Sequence, residues 1–140
     1  MYIIYNLLLI VVFVVFVLPY YTYRLFTEKG FSRRFRQSLG RVHNKEIEKV
    51  MRKDCIWIHG ASVGEIVATS PLVKQIRKEM PDRPILVSAF TVGGYNMAKQ
   101  IIPEADAIIF FPLDLPFVAE SMVKRIHPGI FMPVETELWP

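Results

Sequence analysis

The sequence predicts an α/β fold in which helices cover both faces of a parallel β-sheet. Four short apolar runs alternate with segments of helical spacing, and each run has the length of a buried strand. Right-handed crossovers through helices are the arrangement that buries such runs on both faces. The predicted strands lie at residues 55–59, 84–88, 107–111 and 129–134.

Three predicted helices follow the first three strands. The first ends near Met80. Pro71 leaves two possibilities for this helix: the proline kinks it, or Ser70 caps a helix whose first residue is Pro71. The second follows the Gly93-Gly94 turn and ends at Ile101, and Asp114 is predicted to cap the third. One side of the first helix is expected to be lined by Ile66, Val67, Val73 and Ile76, and the third helix carries Phe117, Met122, Val123 and Ile126.

Residues 2–23 contain no charged side chain and predict a transmembrane helix. As a helix, the segment would span about 33 Å, enough to cross a hydrocarbon core of about 30 Å. Tyr20, Tyr21 and Tyr23 are placed where an interfacial aromatic belt is expected. A cleaved signal peptide requires a basic start and a small-residue cleavage site, and neither is present. We therefore expect an uncleaved, single-pass anchor.

Residues 24–53 form a basic juxtamembrane segment, with ten Lys or Arg and three Glu. By the positive-inside rule, a basic segment directly after the anchor places the rest of the chain in the cytoplasm. Although the whole chain carries a net charge of +4, its basic residues are concentrated here. This distribution favours a membrane surface or a phosphorylated lipid over nucleic acid.

Part of the basic segment has the spacing of an amphipathic helix. Apolar residues recur every four positions, and arginines lie between them. Two interpretations stay open: the helix lies on the membrane face, or it is a solvated linker. The apolar residues are Phe31, Phe35 and Leu39, and the arginines are Arg33, Arg34 and Arg36.

The junction after the first strand admits three interpretations. The tetrad Ser62-Val63-Gly64-Glu65 fits a helix capping box. The pentad from Gly60 to Gly64 fits the G-x-S-x-G elbow of a serine hydrolase, with Asp106 or Asp114 and then His127 following in the required order. In the third interpretation Glu65 is a general base, because a helix N-terminus stabilises its ionised form.

A second acidic motif follows the fourth predicted strand. In extended chain Glu135 and Glu137 point the same way, on the same edge of the sheet as Glu65. The alternative is that one of them caps a following helix. No metal-binding motif is present, and His43 and His127, like the other histidine, lack metal-ligand spacing, so we expect no metal site.

Three motifs together resemble a known family: I-H-G-A-S-V-G-E at 58–65, P-L-D-L-P at 112–116 and E-T-E-L-W-P at 135–140. With the anchor and the basic segment before them, the chain resembles the 3-deoxy-D-manno-octulosonic acid (Kdo) transferases over essentially its whole length. The resemblance implies the N-terminal Rossmann-like domain of a GT-B glycosyltransferase at the bacterial inner membrane. It also implies an inverting, metal-independent enzyme without a cofactor. Such enzymes transfer Kdo from CMP-Kdo to a lipid A precursor in lipopolysaccharide biosynthesis.

The resemblance also implies roles for individual residues. Glu65 would be the proton acceptor for the acceptor hydroxyl, and Glu135 would stabilise the transition state. A fixed carboxylate suits this role because departure of CMP leaves oxocarbenium-like positive charge on the sugar. Ser62 and the N–H groups around Gly64 would line the substrate pocket. The arginines Arg33, Arg34 and Arg36 are candidates for contacting lipid phosphates.

The expected organisation is a transmembrane anchor at 2–23, the basic segment at 24–53 and an incomplete acceptor-side domain at 54–140. The resemblance places CMP-Kdo binding in a C-terminal domain that this chain lacks, so we expect membrane binding but no turnover from these residues alone. Two alternatives stay open: a membrane-anchored serine hydrolase that uses Ser62, and a non-catalytic membrane-bound fragment.

Overall fold

The computed structural model describes residues 11–17, 19–20, 22–23 and 30–134 of the chain. The chain folds into two compact units, Met1–Arg33 and Arg34–Pro140. In the first unit a short π-helix spans Phe13–Val17. Half of the segment 2–23, for which the sequence predicts a transmembrane helix, lies outside the described residues. Within the described ranges, no helix has both the length and the apolar composition needed to cross a membrane.

A parallel four-stranded sheet with the order β3-β2-β1-β4 forms the centre of the second unit. This confirms the predicted strands and their parallel arrangement. The strands are β1 (Ile56–Gly60), β2 (Ile85–Ala89), β3 (Ala107–Phe110) and β4 (Ile130–Pro133). The helices are α1 (Phe31–Ser38), which crosses the boundary between the two units, α2 (Asn44–Ile47), α3 (Val63–Glu79), α4 (Val92–Ile101) and α5 (Pro116–Ile126).

One face of the sheet packs against α3 and α4. Alternate residues of β1 and β2 point to this face, since successive side chains of a strand lie on opposite sides. Ser70, near the middle of α3, donates a hydrogen bond to the carbonyl of Ile101 at the end of α4, with 3.1 Å between the oxygens. The buried members of this core are Ile56, Ile58, Ile66, Val73, Ile85, Val87, Ala89, Tyr95, Ala98, Ile102 and Phe110.

The opposite face packs against α5 and against the chain between α1 and β1. Val42, Ile47 and Val50 are buried in this second core, beside Trp57 of β1 and Met122 of α5. These three residues belong to the segment that we assigned to a separate basic region. The compact unit therefore begins before the boundary at residue 54 that the sequence suggested.

Two details of the predicted helices are wrong, and one open question is answered. Val67 is exposed, although we expected it on the same side of its helix as the buried Ile66 and Val73. Asp114 does not cap α5, because the N-cap is Leu115 and the helix begins at a proline. The open question at Pro71 is also answered, since α3 continues through this proline.

A buried glutamine joins α1 to the sheet. Gln37 is 2% exposed, and its Oε1 accepts the backbone N–H of Phe110 at 2.9 Å. Its Nε2 donates to a carboxylate oxygen of Glu46 at 2.7 Å. The side chain thus satisfies a backbone donor at the end of β3, which lies at an edge of the sheet.

Replacement of Gln37 by alanine is expected to destabilise the fold. The buried N–H of Phe110 would lose its acceptor, which costs about 1–3 kcal/mol. Urea unfolding followed by circular dichroism measures the change. Gln75→Ala is the matched control, because Gln75 is exposed and bonds only a neighbouring helix residue, Glu79. Equal stabilities of the two variants would show that the glutamine does not hold α1 to β3.

Candidate functional site

The turn from β1 into α3 forms a hydrogen-bonded cap around Glu65. The Ser62 hydroxyl and the Ala61 backbone N–H each donate to a different oxygen of the Glu65 carboxylate, both at 2.6 Å. The Ser62 oxygen in turn accepts the Glu65 backbone N–H at 3.5 Å. This is the predicted capping box, and it fixes the carboxylate at the carboxyl end of β1. Glu65 is partly exposed.

The hydrogen bonds of the cap keep Glu65 ionised. Partial burial raises the pKa of its carboxyl, but this effect is outweighed. Hydrogen bonds from the Ser62 hydroxyl and from the backbone of Ala61 and Ser62, together with the positive charge of His59, lower the pKa below its ordinary value of 4.5. Glu65 is therefore a carboxylate near neutral pH, as a proton acceptor must be.

The loop after β2 is hydrogen-bonded to the same turn. The Ala61 carbonyl accepts the backbone N–H groups of Phe90 and Thr91, at 3.2 and 3.1 Å. The Thr91 hydroxyl caps α4 by accepting the N–H of Gly94 at 3.0 Å. Because the Ala61 N–H also holds Glu65, one residue connects the carboxylate to the β2 loop.

Close packing at this edge requires glycine at some positions and not at others. A Cβ on Gly60 would lie 3.2–3.3 Å from atoms of Glu65 and Ile66. A Cβ on Gly94 would lie 3.3 Å from the carbonyl carbon of Ser62. A Cβ on Gly64, by contrast, would have no neighbour within 4 Å, so the space beside this residue is open.

An arginine of α1 lies at this edge of the sheet. The guanidinium carbon of Arg34 is 4.8 Å from the centroid of the Phe90 ring, a cation–π distance. Since the Phe90 N–H donates to the Ala61 carbonyl, Arg34 packs on the loop that is hydrogen-bonded to the turn between β1 and α3. Arg33 and Arg36 are exposed on α1.

The sequence missed a polar cluster on β1 and β2. Trp57 donates its indole N–H to the Ser88 hydroxyl oxygen at 2.8 Å, and Nδ1 of His59 lies 3.0 Å from that oxygen. The His59 ring stacks on Phe111, with 3.9 Å between the centroids. Trp57 and His59 share a face of β1 because side chains alternate along a strand. That Ser88 of β2 lies beside them follows only from the strand register, which pairs His59 with Ser88.

The second acidic motif lies outside the described residues, which end at Val134. The Val134 N–H donates to the His59 carbonyl at 2.9 Å, so the chain passes beside the end of β1 just before Glu135. The positions of Glu135 and Glu137 stay predictions.

The geometry contradicts the serine-hydrolase alternative. The nucleophile of a G-x-S-x-G elbow sits on a strained turn, whereas Ser62 has extended backbone angles, φ −113° and ψ 174°. Its hydroxyl is bonded to Glu65 rather than to a histidine. His127 and Asp106 lie at the other edge of the sheet, where His127 approaches Asp54 at 3.4 Å and Asp106 binds Arg77 at 2.5 Å.

The fold and the site together define a Rossmann-like α/β unit with an ionised carboxylate at the edge where such sheets bind ligands. Comparison with known proteins agrees with this class. The 3-Deoxy-D-manno-octulosonic-acid transferase (kdotransferase) family matches residues 33–140, and the chain belongs to this family.

Individual relatives are of moderate similarity. A 3-deoxy-D-manno-octulosonic acid transferase of Haemophilus influenzae is 38% identical over 85 residues, which are 61% of this chain and 20% of the relative. The protein of the same name from Rickettsia felis is 31% identical over 103 residues, which are 74% of this chain and 22% of the relative. The matched regions thus span about a fifth of the length of these relatives.

Loss of the Ser62 hydroxyl should weaken the cap. We expect Ser62→Ala to destabilise the chain by about 1 kcal/mol, as is usual for an N-cap, and to raise the pKa of Glu65. A carboxyl with a lowered folded-state pKa stabilises the fold above its unfolded pKa, and this contribution disappears as the pH falls through the folded value. As the pH falls from 6 to below the ordinary glutamate value of 4.5, Ser62→Ala should therefore lose less stability than the native chain.

Urea unfolding across this pH range and ¹³C NMR titration of the Glu65 carboxyl carbon measure the two effects. The control is Ser121→Ala, on the exposed surface of α5. An unchanged Glu65 pKa in Ser62→Ala would show that the serine does not set the charge of the glutamate.

Alanine substitutions at the two glycines that flank this turn should have opposite effects. Gly64→Ala is expected to stabilise the chain by about 0.5–1 kcal/mol, because a helical position with open space gains helix propensity. Gly60→Ala is expected to destabilise it, since the new Cβ would press on the backbone of Glu65. Thermal unfolding of both variants tests the pair, and a stabilised Gly60→Ala would contradict the close packing of β1 against α3.

Proposed function

We propose that the chain is the acceptor-side part of a membrane-anchored Kdo transferase in lipopolysaccharide biosynthesis, with Glu65 as the proton acceptor. The observation that carries the proposal is the ionised Glu65 carboxylate, held by its cap at the carboxyl edge of a parallel sheet. Family membership supplies the reaction. The relatives are transferases of 3-deoxy-D-manno-octulosonic acid, which gives the class of transferred group.

In the proposed reaction a hydroxyl of a lipid A precursor attacks the anomeric carbon of Kdo as the bond to CMP breaks. The hydroxyl proton passes to Glu65, a new glycosidic bond forms and CMP leaves with the bonding electrons. Attack opposite the leaving group inverts the configuration, and no metal or cofactor takes part. Glu135 stabilises the positive charge that develops on the sugar.

The surroundings of Glu65 suit an incoming hydroxyl. The cap donors hold one geometry of the carboxylate, so that little reorganisation is needed at the moment of proton transfer. Gly64 leaves open space at the first turn of α3, which is where the acceptor would enter. Ser62 and the N–H groups near Gly64 would line that entrance.

The proposal also covers the location of the chain and the binding of the donor. Residues 2–23 anchor the chain in the bacterial inner membrane as a single-pass helix, with the α/β unit in the cytoplasm. We further propose that the full enzyme has the GT-B architecture, in which a C-terminal domain binds CMP-Kdo. The relatives are about five times longer than their matched regions, so this chain alone is expected to be inactive.

The decisive experiment uses a chimera in which residues 33–140, the part that matches the family, replace the corresponding region of the Haemophilus influenzae relative. With CMP-Kdo and a lipid A precursor, the chimera is expected to form a Kdo-bearing product, detected by mass spectrometry. Glu65→Gln should lower its turnover by about 10²–10⁴, the usual effect of removing a general base. Glutamine still fits a capping box, so the fold should be retained.

Glu79→Gln is the matched control, because Glu79 lies on the exposed last turn of the same helix. Its turnover should equal that of the unmodified chimera. Near-normal turnover of Glu65→Gln would exclude Glu65 as the base. A correctly folded chimera without any transfer would contradict the proposed function.

A further inference from the structure

We propose that the outer face of α3 is a docking surface for an anionic lipid bilayer. Its first three turns would enter the boundary between headgroups and acyl chains, and its last turns would contact the headgroups. This surface involves neither the predicted anchor nor the arginines of α1. It begins at the helix turn that carries Glu65.

The first three turns of α3 are apolar on their outer face as well as on their inner face. Ile66 and Val73 are buried against the sheet, as expected for a helix that covers it. Between residues 63 and 72, six residues are exposed to solvent and none of them is polar, while Glu65 is only partly exposed. The six are Val63, Gly64, Val67, Ala68, Pro71 and Leu72. A helix that is apolar all round is ordinarily covered on all sides, so this outer face indicates a partner.

The exposed apolar residues form one continuous surface. They are spaced so that neighbours lie four residues apart along two adjacent rows, and the rows extend over about 14 Å. Three large side chains account for most of this surface: Val63 is 40% exposed, Val67 50% and Leu72 41%.

The neighbouring helix shows that this pattern is particular to α3. Helix α4 covers the same face of the sheet, but the residues exposed along its middle and end, Asn96, Lys99 and Gln100, are polar. The two helices touch at their starts, where a Cβ on Gly93 would lie 3.1 Å from Cγ2 of Val63. The apolar surface of α3 therefore borders a polar one.

The last turns of α3 continue the same face with positive charge. Lys74 and Lys78 are exposed and follow Val67 and Pro71 at helical spacing. Glu79 is the single exposed acid among residues 73–79, so the lysines leave this half of the face cationic. Helices that lie in a membrane interface have this composition, because apolar residues enter the acyl boundary while lysines reach the anionic headgroups. The change from apolar to cationic along one face favours an anionic bilayer over an apolar protein surface.

Docking of this face has a consequence for the site. The Glu65 carboxylate belongs to the first turn of the docked helix, so it would lie near the depth of the lipid headgroups. A lipid acceptor in the bilayer presents its hydroxyl groups at that depth. This consequence rests on the proposed function, whereas the docking surface itself does not.

The test places the 140-residue chain in nanodiscs of phosphatidylcholine and phosphatidylglycerol and attaches a bimane fluorophore to Val67→Cys or Val123→Cys. The two valines are a matched pair, because each is 50% exposed and their helices cover opposite faces of the sheet. The native Cys55 is buried, so it should not take up the label. We expect blue-shifted emission at position 67 and about threefold stronger quenching there by lipids that carry a spin label near the headgroup.

Two sets of substitutions examine the parts of the surface separately. Leu72→Asp places a charge in the apolar half and should abolish the difference between positions 67 and 123, and circular dichroism checks that the fold is retained. Replacing Lys74 and Lys78 by glutamine should reduce the quenching at position 67 about twofold in anionic nanodiscs and leave it unchanged in phosphatidylcholine alone.

Each contrary result overturns the proposal in a different way. Equal quenching at positions 67 and 123 would show that the outer face of α3 does not face the bilayer. A blue-shifted label at position 67 that the spin-labelled lipids do not reach would show that protein covers this face, and a dependence on concentration would identify a second copy of the chain. None of these results bears on transfer by the chimera, and a chimera without transfer would leave the docking measurement unaffected.

Discussion

The hydrogen bonds between Ser62, Ala61 and Glu65 are the constraint on which the site depends. They satisfy donors at the start of α3, hold one orientation of the carboxylate and lower its pKa at the same time. The same interaction therefore serves helix formation and the charge state that proton transfer requires. A capping box and a general base are in this chain two descriptions of one arrangement rather than competing interpretations.

The two edges of the sheet have different roles. At the carboxyl edge the Ala61 carbonyl accepts hydrogen bonds from the loop after β2, and the Arg34 guanidinium lies over the Phe90 ring of that loop. At the amino edge, Arg77 and Asp106 form an ion pair, and Asp106 also accepts the N–H of Ile85, so these groups tie loops and strands together. Separation of this kind is usual in open α/β sheets, where ligands bind outside the carboxyl ends of the strands.

The helices show where sequence patterns lose their predictive power. Val67 was placed on the same helix side as Ile66 and Val73 but is exposed, because apolar residues also occur on the outer side of a helix that covers a sheet. Asp114 has the composition of an N-cap, yet Pro116 sets the helix start one position further on. Gln37 was overlooked because a polar residue among arginines gives no sign of burial, and only its contact with Phe110 at the sheet edge reveals it.

The sequence alone determined the four strands, their parallel direction with helices between them, and the carboxylate at the first strand-to-helix junction. It could do so because apolar runs, helical spacing and capping motifs depend on neighbouring residues. Only the tertiary structure decided that Ser88 lies against His59, that Arg34 packs on Phe90 of the loop after β2 and that Val42, Ile47 and Val50 belong to the core. These contacts join segments that are distant along the chain, and strand register and packing, which no local pattern encodes, bring them together.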